Sequence, residues 1–99
     1  MIIRDPAVAG KFYSASKEEL HKEVSQYIID HPKEFVIGIV SPHAGFIYSG
    51  HVAGEVYSRI EIPKTFIILG PNHTGMDEII SLMLKGKWEI PTGSFNIDE

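Results

Sequence analysis

The chain has 99 residues, no cysteine and a net charge of −4 with its histidines neutral. Its composition, 43% hydrophobic and 22% charged, is that of one small globular domain. The nine Lys and Arg residues are scattered, so we expect no nucleic-acid partner. No apolar run approaches the ~20 residues that span a bilayer, and we expect no signal peptide and no membrane association. The absence of cysteine excludes disulfide bonds and thiolate ligands within these residues and fits a cytoplasmic location.

The first helix is predicted to follow an extended N-terminal arm. Residues 1–15 contain a proline and a glycine, which favour an arm with a turn. Ser16 and Glu19 have the spacing of a capping box, so the helix is predicted to begin after Ser16. It is expected to stop near Asp30, because the residue before Pro32 avoids the helical region. The apolar residues at helical spacing are Leu20, Val24, Tyr27 and Ile28.

Two apolar runs separated by a helical pattern predict a parallel βαβ unit. Residues 34–40 and 65–70 are rich in β-branched side chains and lack polar alternation, which is typical of strands buried on both faces. Residues 49–60 have helical spacing between them, so the three segments predict a right-handed crossover. Gly50 and Gly54 lie near the apolar stripe of this helix and indicate a close approach to a sheet.

The C-terminal part of the chain is predicted to extend the sheet. Residues 78–84 form a third strand candidate. Residues 85–98 contain glycine and proline breaks between short runs, which favours a hairpin-like extension.

A histidine follows each strand of the predicted βαβ unit. His43 and His73 both lie in loops rich in proline and glycine, just past the apolar runs. Neighbouring parallel strands, about 4.8 Å apart, end at the same edge of a sheet, so we expect the two imidazoles side by side there. Two imidazoles with a third ligand hold non-haem iron or catalytic zinc, although such histidines are also ordinary turn residues. The third ligand stays open: Asp77 and Glu78 follow His73 closely, but their direction is not determined.

Four sequence blocks occur in one order: RDPAVAGKFYSASKEEL, SPHAGFIYSGHVAG, ILGPNHTG and GKWEIPTGSFNID. Together they resemble the N-terminal part of the Memo family over nearly the whole chain. The resemblance implies a fold similar to class III extradiol dioxygenases, with a central sheet flanked by helices. It also implies that His43 and His73 match two metal-ligand histidines, which hold iron in the dioxygenases and iron or copper in Memo proteins. The third ligand of Memo proteins is typically a cysteine far downstream.

The predicted strands would leave faces and edges of their sheet uncovered. We therefore expect residues 1–99 to form a single incomplete α/β domain, the N-terminal part of a larger LigB-like domain with three αβα layers. The alternative is a homo-oligomer in which several copies complete one another's sheet by edge pairing.

The resemblance implies a metal-dependent redox protein. Fe(II) is the first expectation for its cofactor, with copper and zinc as alternatives, and its substrate is not identified by the sequence. Enzymatic activity and the catalytic residues stay open, because a chain without cysteine leaves the expected thiolate unsupplied.

A non-catalytic module that binds a peptide or small molecule is a second interpretation, and an inactive fragment is a third. The residues expected to line a pocket beside the two histidines are Tyr48, Asn72 and His51. For Asn72 a turn-holding role competes with ligand positioning, and His51 is expected to be solvated. His21 and His31 are expected to have no part in the site.

Overall fold

The computed structural model describes residues 2–73 and 81–99. They form a small α/β arrangement of two helices and a three-stranded sheet, which confirms the predicted α/β class. No helix within the described ranges combines the length and hydropathy needed to cross a membrane. In chain order the elements are β1 (Ile3–Arg4), α1 (Lys17–Tyr27), α2 (Phe46–Ser58), β2 (Lys87–Ile90) and β3 (Gly93–Asn96).

Helix α1 begins where the capping box predicts. The Ser16 hydroxyl oxygen accepts a 3.4 Å hydrogen bond from the backbone N–H of Glu19. The second bond of a capping box, from the Ser16 N–H to the Glu19 carboxylate, is replaced by two bonds of the Ser14 hydroxyl. This hydroxyl accepts from the Ser16 N–H at 3.2 Å and donates to the Glu19 carboxylate at 3.3 Å. The helix ends at Tyr27, three residues before the predicted Asp30, because the backbone is already extended at the next residue.

Helix α2 crosses the end of α1 at a pair of glycines. A Cβ on Gly50 would lie 2.7 Å from the ring of Tyr27, and one on Gly54 would overlap the Tyr27 carbonyl oxygen. The glycines therefore permit a close approach, as the sequence indicates, but the partner in this approach is α1 rather than a sheet. Helix α2 begins at Phe46, three residues earlier than predicted.

A buried serine joins the chain after α1 to the end of α2. The Ser58 side chain, 1% exposed, donates a 2.6 Å hydrogen bond to the Gly54 carbonyl oxygen and accepts a 2.9 Å bond from the Ile29 N–H. The Lys33 ammonium donates to the carbonyl oxygen of the same serine. Every one of these polar atoms has a partner, so the contact is stabilising although it is polar.

The sheet is mixed and has the order β1-β2-β3. Strands β2 and β3 are antiparallel, with Trp88 opposite Phe95, which confirms the hairpin predicted over residues 85–98. Strand β1 pairs parallel to β2, and the Arg4 guanidinium stacks 4.6 Å from the centre of the Trp88 ring.

The predicted strands of the βαβ unit are wrong for the described residues. Residues 34–40 and 65–70 form no strand; their backbone pairing is limited to a parallel bridge between Glu34 and Ile60. Residues 81–84 are also outside any strand, and the first part of the third candidate, 78–80, lies outside the described residues.

The exposure of these runs gives the physical reason. Ile37 is 99% exposed and Leu69 is 91% exposed. A strand of this all-apolar type is stabilised by paired neighbours and by layers covering both of its faces. The described residues supply no such cover, so the β propensity of these runs is not realised.

Candidate functional site

Two imidazoles thirty positions apart in the chain meet at the surface. The Nε2 atoms of His43 and His73 are 3.1 Å apart, and both side chains are exposed. The ring centroids are 5.2 Å apart and the ring planes are inclined at 46°. The structure thus brings together the two histidines that the sequence places at equivalent loop positions, even though the strands expected before them are absent from the described residues.

The loop of His43 is held by the first turns of α2. Ser49, which is 8% exposed, donates a 2.9 Å hydrogen bond from its hydroxyl to the carbonyl oxygen of Ala44. The Phe46 N–H donates to the Phe12 carbonyl oxygen at 2.9 Å, which anchors the helix start to the N-terminal arm. His43 therefore precedes a helix whose first turn is held by one hydrogen bond to the preceding loop and by one to the N-terminal arm.

The segment that carries His73 is tied at its other end to the C-terminal hairpin. The Thr65 hydroxyl donates a 2.9 Å hydrogen bond to the carboxylate of Asp98. Residues 65–73 then run as irregular exposed chain to the histidine. The imidazole contact joins the far end of this segment to the loop before α2.

The separation of the two nitrogens suits either of two arrangements. In the neutral pair, one Nε2 carries the hydrogen and the other accepts it. Alternatively, both lone pairs face one metal ion: with metal–nitrogen bonds of about 2.0–2.1 Å, a 3.1 Å separation corresponds to an angle at the ion of roughly 100°. That angle lies between octahedral and tetrahedral values, so the two donors fit neighbouring positions on one ion.

A third protein ligand is not found near the pair within the described part of the chain. No group of three or more His, Cys, Asp or Glu side chains there has the arrangement of a metal site. Asp77 and Glu78, the nearest candidates in the sequence, lie outside the described residues.

The remaining predicted site residues occupy different places. Tyr48 lies in the first turn of α2 and is 78% exposed, and His51 is an exposed residue of the same helix. Asn72 is exposed and immediately precedes His73.

The structure gives local contacts for the two histidines that are expected to have no part in the site. The Nε2 of His31 is 2.9 Å from the Arg59 guanidinium and its Nδ1 is 2.7 Å from the Pro32 carbonyl oxygen. The Nδ1 of His21 lies 3.4 Å from the Ser25 hydroxyl within α1. Both rings have local structural partners.

An apolar cleft of about 410 Å³ is lined by His43 together with residues of the N-terminal arm and of the two helices. Tyr48, Asn72 and His51, which the sequence assigns to a pocket, do not line it. Sequence reasoning missed this cleft because its arm residues have no periodicity, although the aromatic residues of that arm were a usable signal. The aromatic residues of its wall are Phe12, Tyr13, Tyr27, Phe46 and Tyr57.

Comparison with known proteins identifies relatives along the whole chain. The family model of Memo-like proteins matches residues 4–99. The MEMO1 family protein of Aquifex aeolicus is 50% identical over 100 residues, covering 99% of this chain and 38% of the relative. Those of Sulfurisphaera tokodaii and Methanosarcina acetivorans are each 41% identical; each match covers 99% of this chain, with 40% and 37% of the relative, respectively.

The chain spans about two fifths of the length of these curated relatives. No solved structure matches it. Because the family model covers nearly every residue and the relatives agree with it, the chain belongs to the Memo family.

Proposed function

We propose that His43 and His73 supply two ligands of a metal site in a Memo-family protein, with Fe(II) as the first candidate and copper or zinc as alternatives. The observation that carries the proposal is the 3.1 Å approach of the two Nε2 atoms across thirty positions of the sequence. The family membership supports it, since the two histidines lie in the blocks that match the family.

The two residues would act as neutral nitrogen donors. Each presents Nε2 to the ion, so the ring hydrogen resides on Nδ1. A bound iron or copper ion would supply Lewis-acid and one-electron redox chemistry. Two imidazoles occupy only neighbouring positions on the ion, which leaves room for a third protein ligand and for substrate.

The metal role is tested by equilibrium dialysis of the chain against Fe(II) without oxygen, and separately against copper and zinc. Replacing His43 and His73 together by Ala is expected to weaken metal binding by more than about 100-fold, since even an outer-shell loss costs 10–100-fold. His21→Ala, an exposed histidine of α1, is the matched control and should bind metal as the parent does. Equal metal content in the double variant and the parent would refute the proposal.

The fold around the site is proposed to be the three-layer αβα arrangement of dioxygenase-like proteins. The exposed apolar runs 35–40 and 66–69 support this, because they have the composition of central strands and lack cover among the described residues. In this arrangement the histidine pair lies at the edge of the sheet where α/β proteins bind ligands.

A non-catalytic binding module is the second candidate, and the cleft beside His43 favours it. It predicts that ligand binding is retained after metal removal and that the metal-loaded chain consumes no oxygen with a catechol. Oxygen consumption that is lost in the double histidine variant would exclude it.

A further inference from the structure

We propose that the apolar cleft binds an uncharged organic molecule of one or two rings, with the polar end of that molecule at His43. The cleft deepens the proposed function, since it would hold the apolar body of a substrate whose reacting end lies at the histidine pair. Its existence as a binding site rests on the geometry of the cleft and on the chemistry of its wall.

The size of the cleft suits a small molecule. Its volume is about 410 Å³. Sites for small ligands are typically about 300–1,000 Å³, and a cavity of about 150 Å³ already accepts benzene. A two-ring aromatic compound therefore fits, whereas a folded peptide segment with several side chains does not.

The wall of the cleft is aromatic and preorganised. Phe46 packs against Tyr13 with ring centroids 5.6 Å apart and against Tyr27 edge-on at 6.3 Å. Tyr27 is fixed in turn by its close approach to the glycines of α2. Aromatic walls held in this way favour a flat apolar ligand, because ring contacts are gained with little loss of side-chain freedom.

The charge of the ligand follows from what the wall lacks. Among the described residues that line the cleft there is no Asp, Glu, Lys or Arg. An ion that entered would lose hydration without gaining an Asp, Glu, Lys or Arg side chain of opposite charge, which is unfavourable in an apolar environment. The cleft should therefore select a neutral molecule over an ionised one of the same shape.

The orientation of the ligand follows from the free polar groups. Ser41 and Ser49 line the cleft, but their hydroxyls already donate to the carbonyl oxygens of Pro42 and Ala44. His43 also lines the cleft, and its Nε2 lies 3.1 Å from the Nε2 of His73. The other polar side-chain groups of the described wall are the imidazole of His43 and the hydroxyls of Tyr13, Tyr27 and Tyr57. His43 is itself a proposed metal ligand, so we place the hydroxyl or carbonyl group of the ligand at His43, beside the proposed metal site.

The test uses naphthol and naphthoate as probes with the metal-free chain, slightly above neutral pH. Calorimetric titration should show naphthol binding at one site per chain, and naphthoate binding at least about tenfold more weakly. Ala53→Trp, which fills the cleft from α2, should weaken naphthol binding by roughly tenfold or more. Ile47→Trp is the matched control; it lies on the same helix, is 80% exposed and does not line the cleft.

A second measurement needs no variant. Nuclear Overhauser effects in the parent chain should connect the naphthol ring protons with the Ala53 methyl group. Contacts with the methyl groups of Ile37 or Ile67 instead would place the probe on the exposed apolar runs and overturn the proposal. Equal binding of naphthoate, or an equal loss in both tryptophan variants, would overturn it as well.

The outcome is separable from that of the metal experiment. Naphthol binding in the cleft together with unchanged metal content in the histidine double variant would sustain the cleft and refute the metal site. Metal binding that depends on both histidines, without naphthol binding, would sustain the metal site and refute the cleft.

Discussion

Gly54 lies where α2 crosses the end of α1, and its hydrogen occupies the space in which a Cβ would overlap the Tyr27 carbonyl oxygen. Gly50 lies one turn earlier, where a Cβ would meet the Tyr27 ring. The two contacts differ in kind, because a ring can rotate away whereas a carbonyl oxygen moves only with its backbone. The pair therefore offers a direct measure of how tightly the two helices are joined.

Gly54→Ala is expected to lower the free energy of unfolding by about 1–3 kcal/mol despite the better helix propensity of alanine. Gly50→Ala should cost less, since Tyr27 can adjust. Urea denaturation followed by circular dichroism measures both, with Gly93→Ala as the control because a Cβ there meets nothing within 4 Å. A Gly54→Ala chain as stable as the parent would show that the helices separate easily.

Ser58 supplies a second prediction for a single residue. Ser58→Ala removes the acceptor of the Ile29 N–H and should cost about 1–3 kcal/mol of stability, since that donor is left without a partner. Hydrogen exchange at the Ile29 amide should accelerate accordingly. Ser94→Ala, in the exposed strand β3, provides the comparison. Unchanged exchange at Ile29 would mean that another acceptor replaces the serine.

Among the helices and strands, those set by residues close together in the sequence could be predicted. The start of α1 follows from a side chain that caps its own helix, and the β2–β3 hairpin follows from breaks a few residues apart. The strands expected at residues 34–40 and 65–70 rest on β-branched composition, on the lack of polar alternation and on the helical pattern between the two runs. A strand exists only if a neighbour pairs with it, and that neighbour is not encoded in the run itself.

The candidate site also has one feature that could be predicted from the sequence and one that could not. The nearness of His43 and His73 was predictable from two similar loops after two similar runs. The cleft was not, because its wall combines the arm residue Phe12 with residues of both helices. Such a surface depends on how distant segments pack, and no spacing within the sequence reports that packing.

The cap of α1 gives a prediction at this scale. Ser16→Ala should destabilise the chain by about 1 kcal/mol, because the Glu19 N–H loses its acceptor. Ser16→Asp should retain most of the stability, since a carboxylate accepts the same bond and favours the positive helix end. Thermal unfolding of the three chains should rank parent and Asp together above Ala, and a parent no more stable than Ala would contradict the capping role.

The whole molecule presents an unusual amount of apolar surface. Ile37, Val40, Ile67 and Leu69 are each at least 90% exposed. Large exposed apolar patches are typical of interaction surfaces and of surfaces that promote aggregation. The described residues bury few large apolar side chains: Leu20 is 4% exposed and Ile60 is 7% exposed.

We expect copies of the chain to associate through these runs as protein concentration rises. Replacing Ile37 and Ile67 together by Lys should shift sedimentation toward the monomer, because two charges would have to be buried in the contact. Tyr48→Lys is the control, since Tyr48 is 78% exposed and lies on α2, outside the runs. A parent chain that remains monomeric at every concentration would contradict the expectation.

The meeting of His43 and His73 also closes a loop that contains the whole of α2. An ion held by both imidazoles would act as a cross-link, and at a hundredfold excess over its dissociation constant it would stabilise the folded chain by about 2.7 kcal/mol. The entropic cost of closing that loop would then fall partly on folding and partly on ion binding, so the two equilibria would be coupled. The resistance of the loop to proteolysis would thus increase with the concentration of the free ion.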